Sequence, residues 1–216
     1  MPKEALRYTF ALRLRDNKEK EMQLKIAELS DIDNVLKLHA KYQIHTIQEE
    51  DKQDGFVTTA LTKEELTKLI NEEQGLFIAI HEGEVVAYVM SASWQFLAAW
   101  PIFAYMMDDL GNLEYLGQTI TPENSYQYGP VCVDKSVRGS GVLETIFDFA
   151  REQMAKKYPI LVTFINKINT RSYAAHTKKI GLEVIQEFSF NNNHYYELVY
   201  DTAKSLKNET LQTPKD

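Results

Sequence analysis

Four residues, Arg138-Gly-Ser-Gly141, are the first whose types and spacing could do chemistry. They follow an apolar run from Tyr128 to Val133 and a short polar turn, and they precede a segment with apolar residues at helical spacing: Leu143, Ile146, Phe147, Ala150 and Met154. A strand that enters a helix through two glycines presents unsatisfied backbone N–H groups and the partial positive charge of the helix N-terminus. Anions settle at such ends. Gly139 and Gly141 place no side chain in the way of a diphosphate, and Arg138 adds a cation. The same residues also read as an ordinary loop with a solvated arginine, and the cluster alone leaves both readings open. A lysine-bearing phosphate loop is excluded, since no lysine follows Gly141. A dinucleotide fingerprint is excluded too, since it wants a small residue where Glu144 stands and an acid near Asn166 and Lys167.

Positioning that cluster requires a sheet and helices around it. Leu6, Tyr8, Phe10, Leu12 and Leu14 alternate with polar residues as in a half-buried strand, and Met22 to Ala27 starts a second one. Ser30 to Asp33 and Thr62 to Glu65 both resemble capping boxes that open helices. An irregular stretch, Gln43 to Thr59, lies between them. Leu76 to Ile80 and Val85 to Ser93 form a hairpin around His81-Glu-Gly-Glu84. Trp94 to Leu110 is rich in aromatics and is interrupted at Pro101, and a short strand lies within Asn112 to Ile120. Then come a strand at Tyr126 to Val133, a helix at Gly141 to Lys157, a strand at Ile160 to Asn166 and a helix at Thr170 to Lys179. A closing hairpin joins Leu182 to Phe190 with His194 to Asp201. Helices interleaved with strands and hairpins mean an α/β or mixed α+β domain. The expected organisation is an N-terminal extension at 1–21 with an extra edge strand, a core domain at 22–201 and a flexible polar tail at 202–216.

Composition bounds the partners. The 216 residues carry a formal net charge of −7, which argues against nucleic acid. No apolar run is long enough to span a bilayer, so no membrane is expected. A single cysteine, Cys132, excludes an internal disulfide and fits a reducing, cytoplasmic setting. Sitting inside Val131-Cys-Val133 without an adjacent base, it reads as a packed side chain rather than a nucleophile. The histidines at 39, 45, 81 and 194 lack ligand spacing, so no metal is expected.

The run VDKSVRGSGV resembles the acyl-CoA diphosphate loop of the GNAT N-acetyltransferase superfamily, with Arg138 and Gly141 in place and Leu143 where the family has a small residue. Downstream, Asn169, Ser172, His176 and Gly181 are similar in order to the family's closing segment, with one extra residue before Gly181. Upstream, Gly75 to Met90 resembles the family's central hairpin. Together the resemblances cover about Met22 to Asp201. They imply a mixed, mostly antiparallel sheet flanked by helices, in which two parallel strands splay apart at the acyl-CoA site.

The resemblance further implies transfer of an acetyl group from acetyl-CoA to an amine of a small molecule or peptide. It assigns the pantetheine arm to Val131, Cys132 and Val133, and the diphosphate to the backbone of Arg138, Gly139, Ser140, Gly141 and Val142. Asn169 and Ser172 would contact the arm. An alkylammonium must first lose a proton, at a cost of about 4–5 kcal/mol at pH 7 for a lysine-like group, so a base is needed. Glu49, Glu50 and Asp51 are candidates, as are Tyr126 and Tyr128 acting through water; the acidic triplet also reads as simply solvated. His176 matches the position of the acid that protonates the leaving thiolate when counted from Asn169, whereas counting back from Gly181 gives Thr177. Trp94, Phe96, Trp100, Phe103 and Tyr105 either wall an acceptor pocket or belong to the core or a homodimer surface. Two rivals stand beside the enzyme: a catalytically inactive acyl-CoA-binding regulatory module, and an interaction protein built on the aromatic segment and N-terminal strand.

Overall fold

Period-two alternation builds the sheet, and helical periodicity covers its faces. The computed structural model describes residues 7–13 and 19–206, with the backbone alone at 7, 10–13, 19, 20, 51, 53 and 54. The strands are β1 (Arg7–Arg13), β2 (Glu19–Ile26), β3 (Leu76–His81), β4 (Glu84–Ala92), β5 (Glu114–Tyr115), β6 (Gln118–Thr119), β7 (Ser125–Val133), β8 (Ile160–Asn166), β9 (Glu183–Phe190) and β10 (Asn193–Asp201). Eight of them make one sheet in the order β1-β2-β3-β4-β7-β8-β10-β9, while β5 and β6 form a separate hairpin. Within the large sheet, only the β7–β8 pair is parallel.

The helices are α1 (Ile32–Tyr42), α2 (Lys63–Lys68), α3 (Trp94–Leu97), α4 (Pro101–Asp109), α5 (Val142–Met154) and α6 (Thr170–Ala174). One face of α5 buries Ile146, Phe147 and Ala150 against Phe77, Tyr126, Tyr128 and Leu161. Ile32, Val35 and Leu38 of α1 cover the opposite face with Trp94 and Phe103, packing on Ile78, Tyr88 and Val162. Each Val, Leu, Ile or Phe among them contributes about 1.5–3 kcal/mol when fully buried. The sheet is thus sandwiched, and β7 is held in place from both sides.

Some local expectations shift. The box at Thr62 forms as read: Glu65 N–H donates to Thr62 Oγ1 at 3.2 Å and Thr62 N–H to Glu65 Oε2 at 2.8 Å. The box read at Ser30 does not form. Asp31 instead accepts from the Glu28 N–H at 2.7 Å, and a 3-10 turn, Leu29–Asp31, leads into α1. The physical reason is Lys25, 5 % exposed, whose ammonium lies 2.8 Å from both Glu28 and Asp31 and recruits them. Pro101 opens α4 rather than interrupting a helix, because its missing N–H is not needed there.

Structure runs across both expected domain boundaries. β2 begins at Glu19, so the boundary expected at 21/22 falls inside a strand. Residues 202–206, expected in a flexible tail, are docked: Thr202 Oγ1 donates to Tyr158 O at 2.8 Å, and the Leu206 N–H to Asp148 Oδ1 at 3.1 Å. Asp148 and Arg151 form a buried pair at 2.7 Å, and Arg151 Nη1 also donates to Thr202 O at 2.6 Å. The tail stays because it satisfies that pair. Residues 1–6, 14–18 and 207–216 lie outside the described residues. No helix among the described residues is long and apolar enough to cross a membrane.

Glu197 on β10 is 2 % exposed, and burial pushes its carboxyl up to about 7 despite a bond from Gln186 Nε2 at 2.9 Å. Asp109 Oδ2 accepts from the same Nε2 at 2.8 Å, adding like charge nearby. The folded state therefore binds a proton more tightly than the unfolded chain, and stability falls as pH rises from about 4.5 towards 7. Glu197→Gln is expected to flatten that fall, so that the variant gains on the parent between pH 5 and pH 8 in urea-melt midpoints. Parallel pH profiles would contradict this.

Candidate functional site

β7 and β8 pair only where Ser125–Gln127 faces Ile160–Val162. Beyond that point β7 stays with β4 as far as Val133, and β8 stays with β10 as far as Asn166. The strands part. A bulge helps to drive them apart: two β7 residues, Gly129 and Pro130, stand opposite one β4 residue, Met90. The Tyr128 carbonyl at the fork is tied down by Thr163 Oγ1 at 2.6 Å and Gln127 Nε2 at 3.0 Å. Past it, the edge of β7 from Val131 to Cys132 has no neighbouring strand on its β8 side.

β7 then runs into the glycine loop. Asp134 caps a 3-10 turn, Lys135–Val137, by accepting from Ser136 N–H at 2.9 Å. Burial would push its carboxyl up, but the bonds from Ser136 and from Lys41 at 3.1 Å outweigh burial and hold it below the usual carboxylate range. Gly139 and Gly141 both adopt positive φ, 81° and 92°, conformations that favour glycine. Alternating backbone signs of this kind form a nest of N–H groups. The N–H groups of Gly139, Gly141, Val142 and Leu143 find no acceptor among the described residues. They are positioned to hold an anion, and the loop fits a diphosphate in that respect.

Arg138 is employed differently than expected. Its Nε donates to Val133 O at 2.9 Å and its guanidinium lies 4.7 Å from the centre of the Tyr42 ring. Tyr42 in turn accepts from Lys135 N–H at 2.8 Å. Arg138 thus braces the strand end against α1, and it occupies the Val133 carbonyl that the resemblance assigned to a pantetheine arm.

Two chambers adjoin the parted strands. The larger, about 400 Å³, is lined by Val131, Cys132, Val133, Arg138, Gly139, Leu143 and Glu144 on one side and by Asn169, Arg171, Ser172, Ala174, Ala175, His176, Lys178 and Lys179 on the other. That volume lies within the range of small-molecule sites. Arg138, Arg171, Lys178 and Lys179 give it a cationic rim. The smaller, about 90 Å³, is lined by Phe56, Phe103, Gln127, Thr163, Phe164 and Tyr195 among others. Phe56, Val57, Val131, Asn169, Ser172 and His176 belong to both.

Asn169 does more than line the chambers. Its Oδ1 caps α6 by accepting from Ser172 N–H at 3.2 Å, and its Nδ2 donates to Phe56 O at 3.0 Å. The irregular stretch is thereby strapped across the gap. Val57 N–H also donates to Tyr42 O at 2.8 Å.

After α6 the chain makes a π-helical turn, Ala175–Ile180, closed by Gly181 N–H to His176 O at 3.0 Å. A π turn absorbs one more residue than an α turn, and π turns recur at functional sites. This accounts for the extra residue before Gly181 and sets the two candidates apart in position: His176 lines both chambers, while Thr177 lines neither and bonds back to Tyr173 O at 2.8 Å.

His176 is 6 % exposed, and burial lowers its pKa below the ordinary imidazole value. Its Nδ1 lies 2.8 Å from the Ser172 carbonyl, which can only accept, so the proton sits on Nδ1 and Nε2 carries the lone pair. In this resting form Nε2 can accept a proton, and the acid role that the resemblance suggested requires the ring to take one up first.

The other candidates fall elsewhere. Tyr128 is 1 % exposed, packed against Phe147 and His176, and burial raises its phenol well above the usual value, so a phenolate base is disfavoured. Tyr126 is likewise buried and raised. Glu50 is exposed on the 3-10 turn Glu49–Asp54 and lines neither chamber; Glu49 pairs with Lys52; the side chain of Asp51 lies outside the described residues. Ser140 donates from Oγ to Val137 O at 2.6 Å. Burial pushes the Cys132 thiol up to about 12, which leaves it inert at neutral pH. Of the five aromatic candidates only Phe103 reaches a chamber; Trp94 is core, donating from Nε1 to Ser125 Oγ at 2.9 Å. Among the described residues no cluster of three or more His, Cys, Asp and Glu could hold a metal. Gln127 and the strap at Phe56 were missed, since neither residue type announces chemistry in sequence.

No protein-family model matches the sequence, and no curated protein matches it either. Solved structures do match in fold. A putative acetyltransferase, yncA, from Salmonella typhimurium, determined with its cofactor acetyl-CoA, is 11% identical with a TM-score of 0.56, over 84% of this chain and 94% of that one. The ribosomal-protein-alanine N-acetyltransferase from Brucella melitensis is 17% identical with a TM-score of 0.54, over 82% and 98%. A GNAT-family acetyltransferase from Streptococcus agalactiae is 12% identical with a TM-score of 0.57, over 88% and 98%.

The strap yields a test. Asn169→Ala removes a helix cap, worth about 1 kcal/mol, together with the tether to Phe56. Amide exchange at Val57 should accelerate while exchange along β7 and α5 stays unchanged. Equal protection at Val57 in both proteins would show that Asn169 does not hold the strap.

Proposed function

Starting from a chain that has the fold of the GNAT N-acetyltransferases, we propose that it is an acetyl-CoA-dependent N-acetyltransferase acting on a primary amine of a small molecule or peptide. One observation carries the reading: the unpaired edge of β7 leads directly to four unclaimed N–H groups at the start of α5. Each hydrogen bond to a charged diphosphate contributes about 1.5–3 kcal/mol. Gly139, Gly141, Val142 and Leu143 would hold the diphosphate, the backbone of Val131 and the N–H of Val133 would pair with the pantetheine amides because Cys132 turns its own groups to Tyr88 of β4, and the cationic rim would meet the remaining phosphate charge. When bound, acetyl-CoA supplies the acyl group as a thioester: a C–N bond forms to the amine, the C–S bond breaks, and the amine's proton ends on the departing sulfur.

His176 Nε2 is the proposed proton acceptor where the two chambers meet. It takes a proton from the amine, directly or through water, and as imidazolium can pass it on. Ser172 O holds the tautomer that makes this possible. Ser172 is therefore a positioning residue.

Two measurements test the reading. Gly141→Val adds a β-branched side chain at φ 92° and over the N–H nest; CoA titrated by calorimetry should no longer bind, while circular dichroism remains that of the parent. Unchanged affinity would refute the cradle. His176→Ala should lower kcat by about 10²-fold or more and leave the Kd for acetyl-CoA within about twofold. The active form is the neutral ring, whose pKa burial lowers below 6.5, so in the parent kcat should fall only as pH drops below that value. A variant with the parent's kcat would remove His176 from the chemistry.

A further inference from the structure

A side chain that lines the smaller chamber, Gln127, carries a buried amide oxygen with nothing to accept. Gln127 is 2 % exposed, and its Oε1 has no hydrogen-bond partner among the described residues. The amide cannot simply turn over, since that would set Oε1 against the Tyr128 carbonyl, to which Nε2 now donates at 3.0 Å. Buried acceptors are nearly always satisfied, so an orphan on a cavity-lining side chain marks the place of a missing donor. Gln127 is also the last β7 residue paired with β8, where the strands part. The donor therefore belongs at the fork.

The walls say what carries that donor. Phe103 packs edge-on to Phe164 at 5.7 Å, and Phe164 to Tyr195 at 5.4 Å; with Phe56 they give the chamber aromatic walls beside the neutral polar Thr58, Thr59, Thr163, Asn166 and Asn169. Among the described residues that line it, none is Asp, Glu, Lys or Arg. The second ammonium of a polycation would lose its water there without gaining a counter-ion. Rings and alkyl groups gain from the same walls.

We propose that this chamber takes the acceptor as a single amine on an aromatic or apolar body, an arylalkylamine, with Gln127 Oε1 accepting one amine N–H and holding the nitrogen at the fork. This deepens the acetyltransferase reading and rests on it. Gln127 touches the substrate, whereas Phe103, Phe164 and Tyr195 set its specificity.

The test uses the full chain, acetyl-CoA, and two probes, benzylamine and spermidine, with thiol release as the readout and CoA calorimetry in parallel. Benzylamine should exceed spermidine in kcat/KM by at least about tenfold. Gln127→Met should cut kcat/KM for benzylamine about tenfold, through KM, with CoA affinity unchanged. Gln127→Glu keeps an acceptor oxygen and, as long as its carboxylate is ionised, cannot donate to Tyr128 O, as methionine cannot. It should stay within about threefold of the parent on benzylamine and raise spermidine relative to benzylamine about tenfold. If the Met variant does not fold, that ratio in the Glu variant decides alone. The inference is overturned if spermidine matches benzylamine, if neither amine releases thiol from a protein that binds CoA, or if Met and Glu variants lose activity alike with no change in ratio, which would make Gln127 a brace for the fork. Absence of CoA binding would overturn the acetyltransferase reading itself.

Discussion

Everything at the site depends on β7 losing one neighbour while keeping the other. Backbone N–H and C=O groups inside a protein must be paired, and β7 solves this differently along its length. Up to Gln127 it has β4 on one side and β8 on the other; from Val131 it has β4 alone. The bulge at Gly129-Pro130, and Thr163 closing on the Tyr128 carbonyl, make the parting stable. Two sandwiching layers, α5 below and α1 above, prevent the sheet from healing the gap.

Charge is sorted along the gap. The chain is acidic overall, yet Arg138, Arg171, Lys178 and Lys179 gather at the larger chamber, next to the N-terminus of α5. A local cationic rim on an acidic body focuses attraction for a polyanion at one end of the site. At the other end the described lining carries no Asp, Glu, Lys or Arg. His176 sits where the two meet, kept neutral by burial and kept in one tautomer by Ser172. The polyanion end and the neutral end are thus chemically distinct, with the titratable group between them.

Small irregularities do the positioning. The π turn at Ala175–Ile180 rotates His176 rather than Thr177 into the chambers. The Asn169 amide spans from the α6 cap to Phe56, so that one side chain sets both a helix start and the roof of the gap. The strap, the bulge and the π turn all depart from regular geometry, and all three border the same space.

The order of strands and helices, the glycine loop and the cap at Thr62 were legible because each rests on neighbours within a few residues: a period of two, a period near four, a hydroxyl three positions before a carboxylate. The sequence by itself determined that a strand would meet a helix through glycines, and the φ values of 81° and 92° follow from that. Only the tertiary structure decided where β7 and β8 part, which carbonyl Arg138 takes, that Lys25 would draw Asp31 away from the cap read at Ser30, and that Gln127 would be left without a donor. Those outcomes depend on register between segments far apart in the chain, and one inserted residue at a bulge or a π turn changes which side chain faces the gap.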